Sequence, residues 1–348
     1  MSIALDIGTY RMRSLRTRGN QLLGKSSRAI YAVLPDTESA RDLLDKTGTS
    51  YAICEESLIV IGDAAADIST LFGVPCISLF QDGRLPHDDP PARQVIRALL
   101  ESLLPAPESP GEIWCMTLPC TSAVARPQAD QDFQLLTQLV QLAGYRPLVL
   151  GSAMGVVLAE LVSESFTGIG LTFGAGSCEV CLAHRGVEIA HYMLPLGGNW
   201  IDTELAKSSD NYVWDAAGEK HLDTESAARW KTSNHLSLIR STSDQERFLA
   251  ELYGELVAHV VTESARELSP ISKACDLPQP LSVVVSGGAA RIPGFLKLLG
   301  QHWHAAPVSF KLGEIRLAVD SDFTVARGCL IKAKLETQAG PTNSAAAA

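Results

Sequence analysis

Three stretches of this chain end a run of β-forming residues on glycine, each beside a hydroxyl or a carboxylate. They are Ile3-Ala4-Leu5-Asp6-Ile7-Gly8-Thr9-Tyr10, the segment from Gly168 to Leu182, and Val283-Val284-Val285-Ser286-Gly287-Gly288. In the second, Gly174-Ala175-Gly176 makes a turn whose torsions are open mainly to small residues, and such a turn brings backbone N–H groups against a phosphate. A glycine hairpin serves equally well as a plain tight turn, so one alone says little. Repeated in this order, the three elements point to one nucleotide held between two related halves.

The elements that must position these turns follow from composition and periodicity. The 348 residues suffice for two domains of ordinary size, each with its own core. With 46% hydrophobic and 20% charged residues, the chain reads as a globular protein, and no apolar run approaches the roughly 20 residues of a membrane span. A formal net charge of -10 without clustered Lys and Arg argues against a nucleic-acid partner. No secretory leader precedes Ile3, where the first strand begins. The eight cysteines are scattered through apolar runs, as small buried hydrophobes of a reducing compartment would be. Cys178 and Cys181 have zinc-type spacing, but residues three apart in a strand face opposite ways and no second Cys or His pair stands nearby.

Along the chain, residues 2–8 and 12–18 read as strands closed by the Gly19-Asn20 turn, and 21–34 continue the sheet. Residues 35–50 are polar and read as a surface insertion. A hairpin at 51–61 precedes a short helix from Gly62-Asp63. Helical spacing over 92–104, a strand at 113–118, a helix through Phe133 and Val140, a strand at 147–150 and a helix at 154–162 complete a first half of alternating strands and helices. The second half repeats the plan with strands at 168–182 and 187–194, a polar helix-prone region over 199–245, a long helix at 246–268, a strand at 281–285, a helix after Pro293 and a last helix from 324 to 335.

Taken together, these motifs resemble those of the actin-like ATPases, the superfamily of actin, the bacterial actins MreB and FtsA, sugar kinases and the seventy-kilodalton heat-shock chaperones. Ala4-Leu5-Asp6-Ile7-Gly8-Thr9 is similar to the first phosphate motif of that family, and Thr172-Phe173-Gly174-Ala175-Gly176-Ser177 stands where the second belongs. Ser286-Gly287-Gly288-Ala289-Ala290-Arg291-Ile292-Pro293 resembles the adenosine motif, and Phe323 to Cys329 resembles the start of the closing helix. Val60-Ile61-Gly62-Asp63-Ala64-Ala65, the Leu196 to Asp202 wording and the length are most similar to MreB. The resemblance implies an α/β, two-lobed actin-like fold, each lobe a mixed five-stranded-type sheet flanked by helices, with a nucleotide cleft between. The expected divisions are a first domain over 1–151 that takes back the helix 324–336, a second over 152–323, and a disordered tail over 337–348.

It also implies ATP or ADP with Mg²⁺ as ligands. Asp6 is the expected carboxylate behind the metal-bound waters, since magnesium keeps most of them and needs acceptors for their hydrogens. Gly8, Thr9, Tyr10, Arg11, Gly174, Ala175, Gly176, Ser177, Lys231, Gly287, Gly288, Ala289 and Arg291 are the residues expected around the nucleotide. Arg13 is a further source of charge near the phosphates, although solvated strand positions suit both arginines equally. Three acids of the family pattern are missing. Thr172 stands where the second phosphate motif carries aspartate, and Ser152 with Ala153 stands where a Glu-Pro pair positions the attacking water. In the Ala-Glu-x-x-Lys pattern the lysine, Lys231, is kept and the glutamate is lost. Glu160 and Glu164 are the acids nearby that could replace them.

Neutral hydroxyls offer only a weak dipole, and orienting a water with a general base contributes about 10²–10⁴ in rate. Hydrolysis is therefore expected to be weak or absent while binding survives. The expected protein is a cytoplasmic, MreB-like cytoskeletal or scaffold protein of the cell-shape type. It assembles with itself or with a membrane-associated partner. An active ATPase, a kinase or a chaperone of the same superfamily is the alternative.

Overall fold

The computed structural model describes residues 2–81, 83–86, 90–119, 131–214, 218–233, 236–274, 277–308 and 310–339. Two five-stranded sheets carry the chain, and they are wired alike. The first has the order β3-β2-β1-β8-β9, with β1 (Ser2–Ile7), β2 (Arg11–Arg18), β3 (Gln21–Arg28), β8 (Ile113–Met116) and β9 (Arg146–Val149). The second has the order β12-β11-β10-β15-β16, with β10 (Gly168–Phe173), β11 (Cys178–His184), β12 (Val187–Leu194), β15 (Leu281–Ser286) and β16 (Leu312–Leu317). In both, the first three strands form an antiparallel meander and the last two add in parallel, as helical crossovers require.

Two helices exchange sheets. Helix α5 (Ser152–Glu160) leaves the first sheet and packs its apolar residues Val156 and Val157 with Cys181 and Val284 of the second. Helix α10 (Thr324–Ala339) leaves the second sheet and lays Ala326, Cys329, Leu330 and Ala333 against Ala4, Leu15, Ile113 and Cys115 of the first. They cross at two glycines: a Cβ on Gly328 would fall on the Gly155 carbonyl. Two lobes thus share a hinge made of backbone in close contact. Of the tail expected over 337–348, residues 337–339 are helical and 340–348 lie outside the described residues.

The opposite face of the first sheet is covered by α3 (Pro90–Leu103) and α4 (Gln131–Leu142), whose Val95, Ile96, Leu99, Leu136 and Val140 are buried. That of the second is covered by α6 (Gly198–Ser208), α7 (Thr224–Lys231), α8 (Asp244–Ala274) and α9 (Phe295–Ala305), with Phe173, Tyr253 and Phe295 meeting edge to face. Residues 35–50, read as a surface insertion, instead contain α1 (Glu38–Thr47). Its N-terminus is capped by Thr37 Oγ1, which accepts from the Ala40 N–H at 3.2 Å, and it ends on left-handed Gly48. It buries Ala40 and Leu44 against a four-stranded sheet of order β5-β6-β4-β7, made of Tyr51–Cys54, Ser57–Ile61, Ile30–Pro35 and Cys76–Ser78, which α2 (Asp63–Phe72) also covers. The region 199–245 holds α6, α7 and a two-stranded ribbon, β13 (Tyr212–Trp214) with β14 (Lys220–Leu222).

Candidate functional site

Strand β1 lies between β2 and β8 and delivers Asp6 at the carboxyl end of the sheet. Thr117, just past β8, donates its hydroxyl to Asp6 Oδ1 at 3.0 Å and accepts the Ile7 N–H at 3.1 Å. The Arg13 guanidinium stands 3.9 Å from Asp6 Oδ2. Burial pushes the Asp6 carboxyl up, Arg13 and the Thr117 hydrogen bond oppose that rise in part, and the nearby Glu179 charge adds to it. The turn that follows is tight: a Cβ on Gly8 would lie 2.7 Å from the Arg11 carbonyl oxygen. Thr9 is buried, while Tyr10 is exposed with the Arg28 guanidinium 4.7 Å above its ring. Arg11 pairs with Asp63 at 2.7 Å.

The second hairpin closes through the Gly174 N–H, which donates to the Ser177 carbonyl at 2.9 Å. Its outward carbonyls meet a helix N-terminus: the N–H groups of Gly198 and Asn199, first in α6, donate to Gly174 and Ala175 at 2.9 and 2.8 Å. The two hairpins touch across the lobes. A Cβ on Gly176 would lie 2.9 Å from Thr9 Cγ2 and 3.0 Å from Thr9 Oγ1. The N–H groups of Gly8, Thr9, Ala175, Gly176 and Ser177 find no acceptor among the described residues. Such a nest of donors is what an anion requires.

Thr172 is buried at the end of β10 and pairs with Glu179 on β11 and Ser286 on β15. Glu179 is the acid that the sequence reading missed. Its Oε2 accepts the Ala153 N–H at the start of α5 at 3.2 Å and lies 3.4 Å from His191 Nε2. Burial lowers the His191 pKa, but the hydrogen bond and charge of Glu179, with Glu188 behind it, outweigh burial and raise it. The packing at the helix entrance is close: a Cβ on Gly151 would approach His191 Nε2 to 3.2 Å. A signal was present: the turn over 174–177 fixes the register that places Glu179 directly opposite Thr172.

Neither of the acids expected as substitutes serves here. Glu160 turns to the hinge, where its Oε2 accepts from Arg316 at 2.8 Å and its Oε1 from Arg327 at 2.6 Å; Glu164 is exposed and bonded to Ser163. Ser152 is the first residue of α5, beside Glu179's helix-end contact. Lys231 is committed to the protein itself, with its ammonium 2.7 Å from Asp202 and donating to the Gly198 carbonyl at 2.8 Å, so it braces the entrance of α6. Burial works against the charge of both Lys231 and Asp202, and their mutual attraction offsets it in part. Gly287 has φ 102° and packs on the Phe173 carbonyl, which only a glycine permits. Gly288 opens a single 3₁₀ turn in which Ala289 and Ala290 are buried, and Arg291 reaches Asp322 at 3.0 Å. Arg13 reaches the same carboxylate at 3.1 Å, so Asp322 gathers an arginine from each lobe. A further clasp crosses the lobes, as Arg28 donates to both oxygens of Glu225 on α7 at 3.0 and 3.3 Å.

The donor set is poorer in negative charge than the one the resemblance implies for a hydrated Mg²⁺ with Asp6 behind its waters. Two of the family's acid positions hold neutral hydroxyls, and the two carboxylates present already accept hydrogen bonds or face a cation. Among the described residues, no group of three or more His, Cys, Asp or Glu side chains is placed to hold a metal ion.

Solved structures share this architecture at low identity. The MamK double helical filament protein superposes with a TM-score of 0.68 at 16% identity, covering 95% of this chain and 98% of that one. MreB5 of Spiroplasma citri bound to AMPPNP superposes at 0.64 with 15% identity, covering 97% of each chain. The ethanolamine utilization protein EutJ from Carboxydothermus hydrogenoformans reaches 0.54 at 18% identity, covering 95% of this chain and 89% of that one. No curated protein matches in sequence. The fold is thus the two-lobed actin-like one, and the match of residues 1–333 to the Volactin family shows that the chain belongs to that family.

Proposed function

We propose that this protein is an actin-like cytoskeletal element that binds a purine nucleotide, ATP or ADP, between its lobes and assembles with copies of itself in the cytoplasm, with hydrolysis slow or absent. The observation that carries this reading is the meeting of the two glycine hairpins, Thr9 against Gly176, both carrying N–H groups without an acceptor among the described residues. The filament of MamK and the AMPPNP bound to MreB5, proteins of the same fold, support it. Slow hydrolysis follows from the neutral Thr172 and Ser152, which leave a water without its usual base. The partners envisaged are further copies of the chain and a membrane-associated protein, not nucleic acid. No helix among the described residues is long and apolar enough to cross a membrane. Negative-stain microscopy and sedimentation of purified protein with ATP, with ADP and without nucleotide test this. Assembly that changes with the nucleotide supports it, and particles that stay dispersed at every concentration, unaffected by nucleotide, remove it.

A second reading, an active ATPase, draws support from Glu179, a buried carboxylate that accepts the N–H at the start of α5 and whose charge acts on Asp6. Phosphate release well above background and abolished in Glu179→Gln would favour it.

A further inference from the structure

We propose that the phosphate cradle takes its nucleotide without a divalent cation, the protein's own donors and the Arg13 charge standing where metal-bound waters would stand. This rests on the nucleotide reading above and concerns the same site. A hydrated magnesium ion is held by carboxylate oxygens that accept hydrogen bonds from its waters. In this cleft each of the two carboxylates already accepts a hydrogen bond from the protein. Asp6 Oδ1 receives the Thr117 hydroxyl and Asp6 Oδ2 faces Arg13 at 3.9 Å. Glu179 Oε2 receives the Ala153 N–H and lies within reach of His191 Nε2. The position across from Glu179, where the family pattern has a third acid, is Thr172, which cannot accept a metal's share of charge.

The same arrangement removes the need for the metal. Carboxylates facing a polyphosphate repel it unless a positive charge stands between them, and the repulsion is strong where water is excluded. Replacing one acid by Thr172 removes one source of that repulsion. Arg13 sets a permanent positive charge beside Asp6 and is held there from behind by Asp322 at 3.1 Å. The amide donors of Gly8, Thr9, Ala175, Gly176 and Ser177 need no metal to act on an anion.

The test titrates ADP and the non-hydrolysable analogue AMPPNP into the full-length protein by calorimetry, once with magnesium chloride and once with excess EDTA. The expected dissociation constants in the two arms agree within about threefold, and a loss of about tenfold or more in EDTA overturns the inference. Two variants, each checked by circular dichroism for a native fold, read the residues named. Thr172→Asp restores the acid and is expected to bind at least about tenfold more weakly in EDTA than in magnesium. Arg13→Gln is expected to acquire the same magnesium dependence. Variants that stay as metal-indifferent as the parent overturn the roles of Thr172 and Arg13. Binding seen only with magnesium sinks this inference and leaves the nucleotide reading standing, whereas no binding in either arm sinks both.

Discussion

Gly176→Ala probes the contact on which the site depends. Gly176 has no positive φ, so an alanine meets no backbone strain there, and its whole effect comes from the new methyl group. That methyl would stand 2.9, 3.0 and 3.3 Å from Thr9 Cγ2, Oγ1 and Cβ. Ordinary carbon contacts begin at about 3.5 Å, so the hairpins must part by roughly half an ångström or more. Thr9 is short and buried and cannot swing away. Overpacking of this kind costs about 1–3 kcal/mol. Because the two hairpins belong to different lobes, the strain is relieved by opening the cleft rather than by unfolding a lobe. The loss then appears in ligand binding, as about 5- to 150-fold in the dissociation constant. Titration of a fluorescent adenine nucleotide measures it, with thermal unfolding of the free protein as the control. Thr9→Gly in the same chain removes all three contacting atoms and should restore most of the affinity. Unchanged affinity in Gly176→Ala, or no recovery in the double variant, would show that the hairpins do not meet as described.

Other perturbations test the scaffold. Gly328→Ala drives a methyl into the Gly155 carbonyl at the helix crossing and should cost about 3 kcal/mol or more, read by denaturant unfolding; a shift within experimental scatter contradicts the hinge. Glu160→Gln removes the charge that holds Arg316 and Arg327 and should cost about 2–3 kcal/mol at neutral pH, less than for a fully buried pair because both arginines are partly exposed. Burial alone would raise the Glu160 carboxyl, but the Arg316 hydrogen bond, the Val319 N–H and the charges of Arg327 and Arg316 hold it below the ordinary glutamate range. Its contribution is therefore present above that range and lost as pH falls through the lowered value, so wild type and Glu160→Gln should converge in acid; a gap that stays constant with pH refutes the sign. Arg28→Ala breaks the clasp to Glu225 and the stacking on Tyr10, worth about 1 kcal/mol, and should speed nucleotide release about fivefold in a displacement assay, with stability little changed.

Much of the frame was legible because its signals are local. The strand into Asp6 and Gly8, the Gly174-Ala175-Gly176 turn and the Gly287 approach each combine an apolar run with a glycine that the backbone needs, and each occupies the expected place. Helix α1 escaped notice because only Ala40 and Leu44 face inward, although Thr37 and Gly48 mark its two ends. Strand β16 escaped because Leu312-Gly-Glu-Ile-Arg-Leu is a half-covered edge strand without clean alternation. The site's other participants are long-range. Glu179 acts on Asp6 only through its charge across the lobes, Asp322 gathers Arg13 across 309 residues, and Glu225 finds Arg28 across 197. Spacing along the chain carries no trace of those meetings, except at Glu179, where hairpin register would have placed an acid opposite Thr172.

Amide hydrogen exchange read by mass spectrometry, with and without saturating adenine nucleotide, addresses the clasp between the lobes most directly. Protection should rise together in the two segments Gly8 to Arg11 and Gly174 to Ser177, one from each lobe. Protection confined to a single hairpin, or absent from both, would contradict a nucleotide held between them.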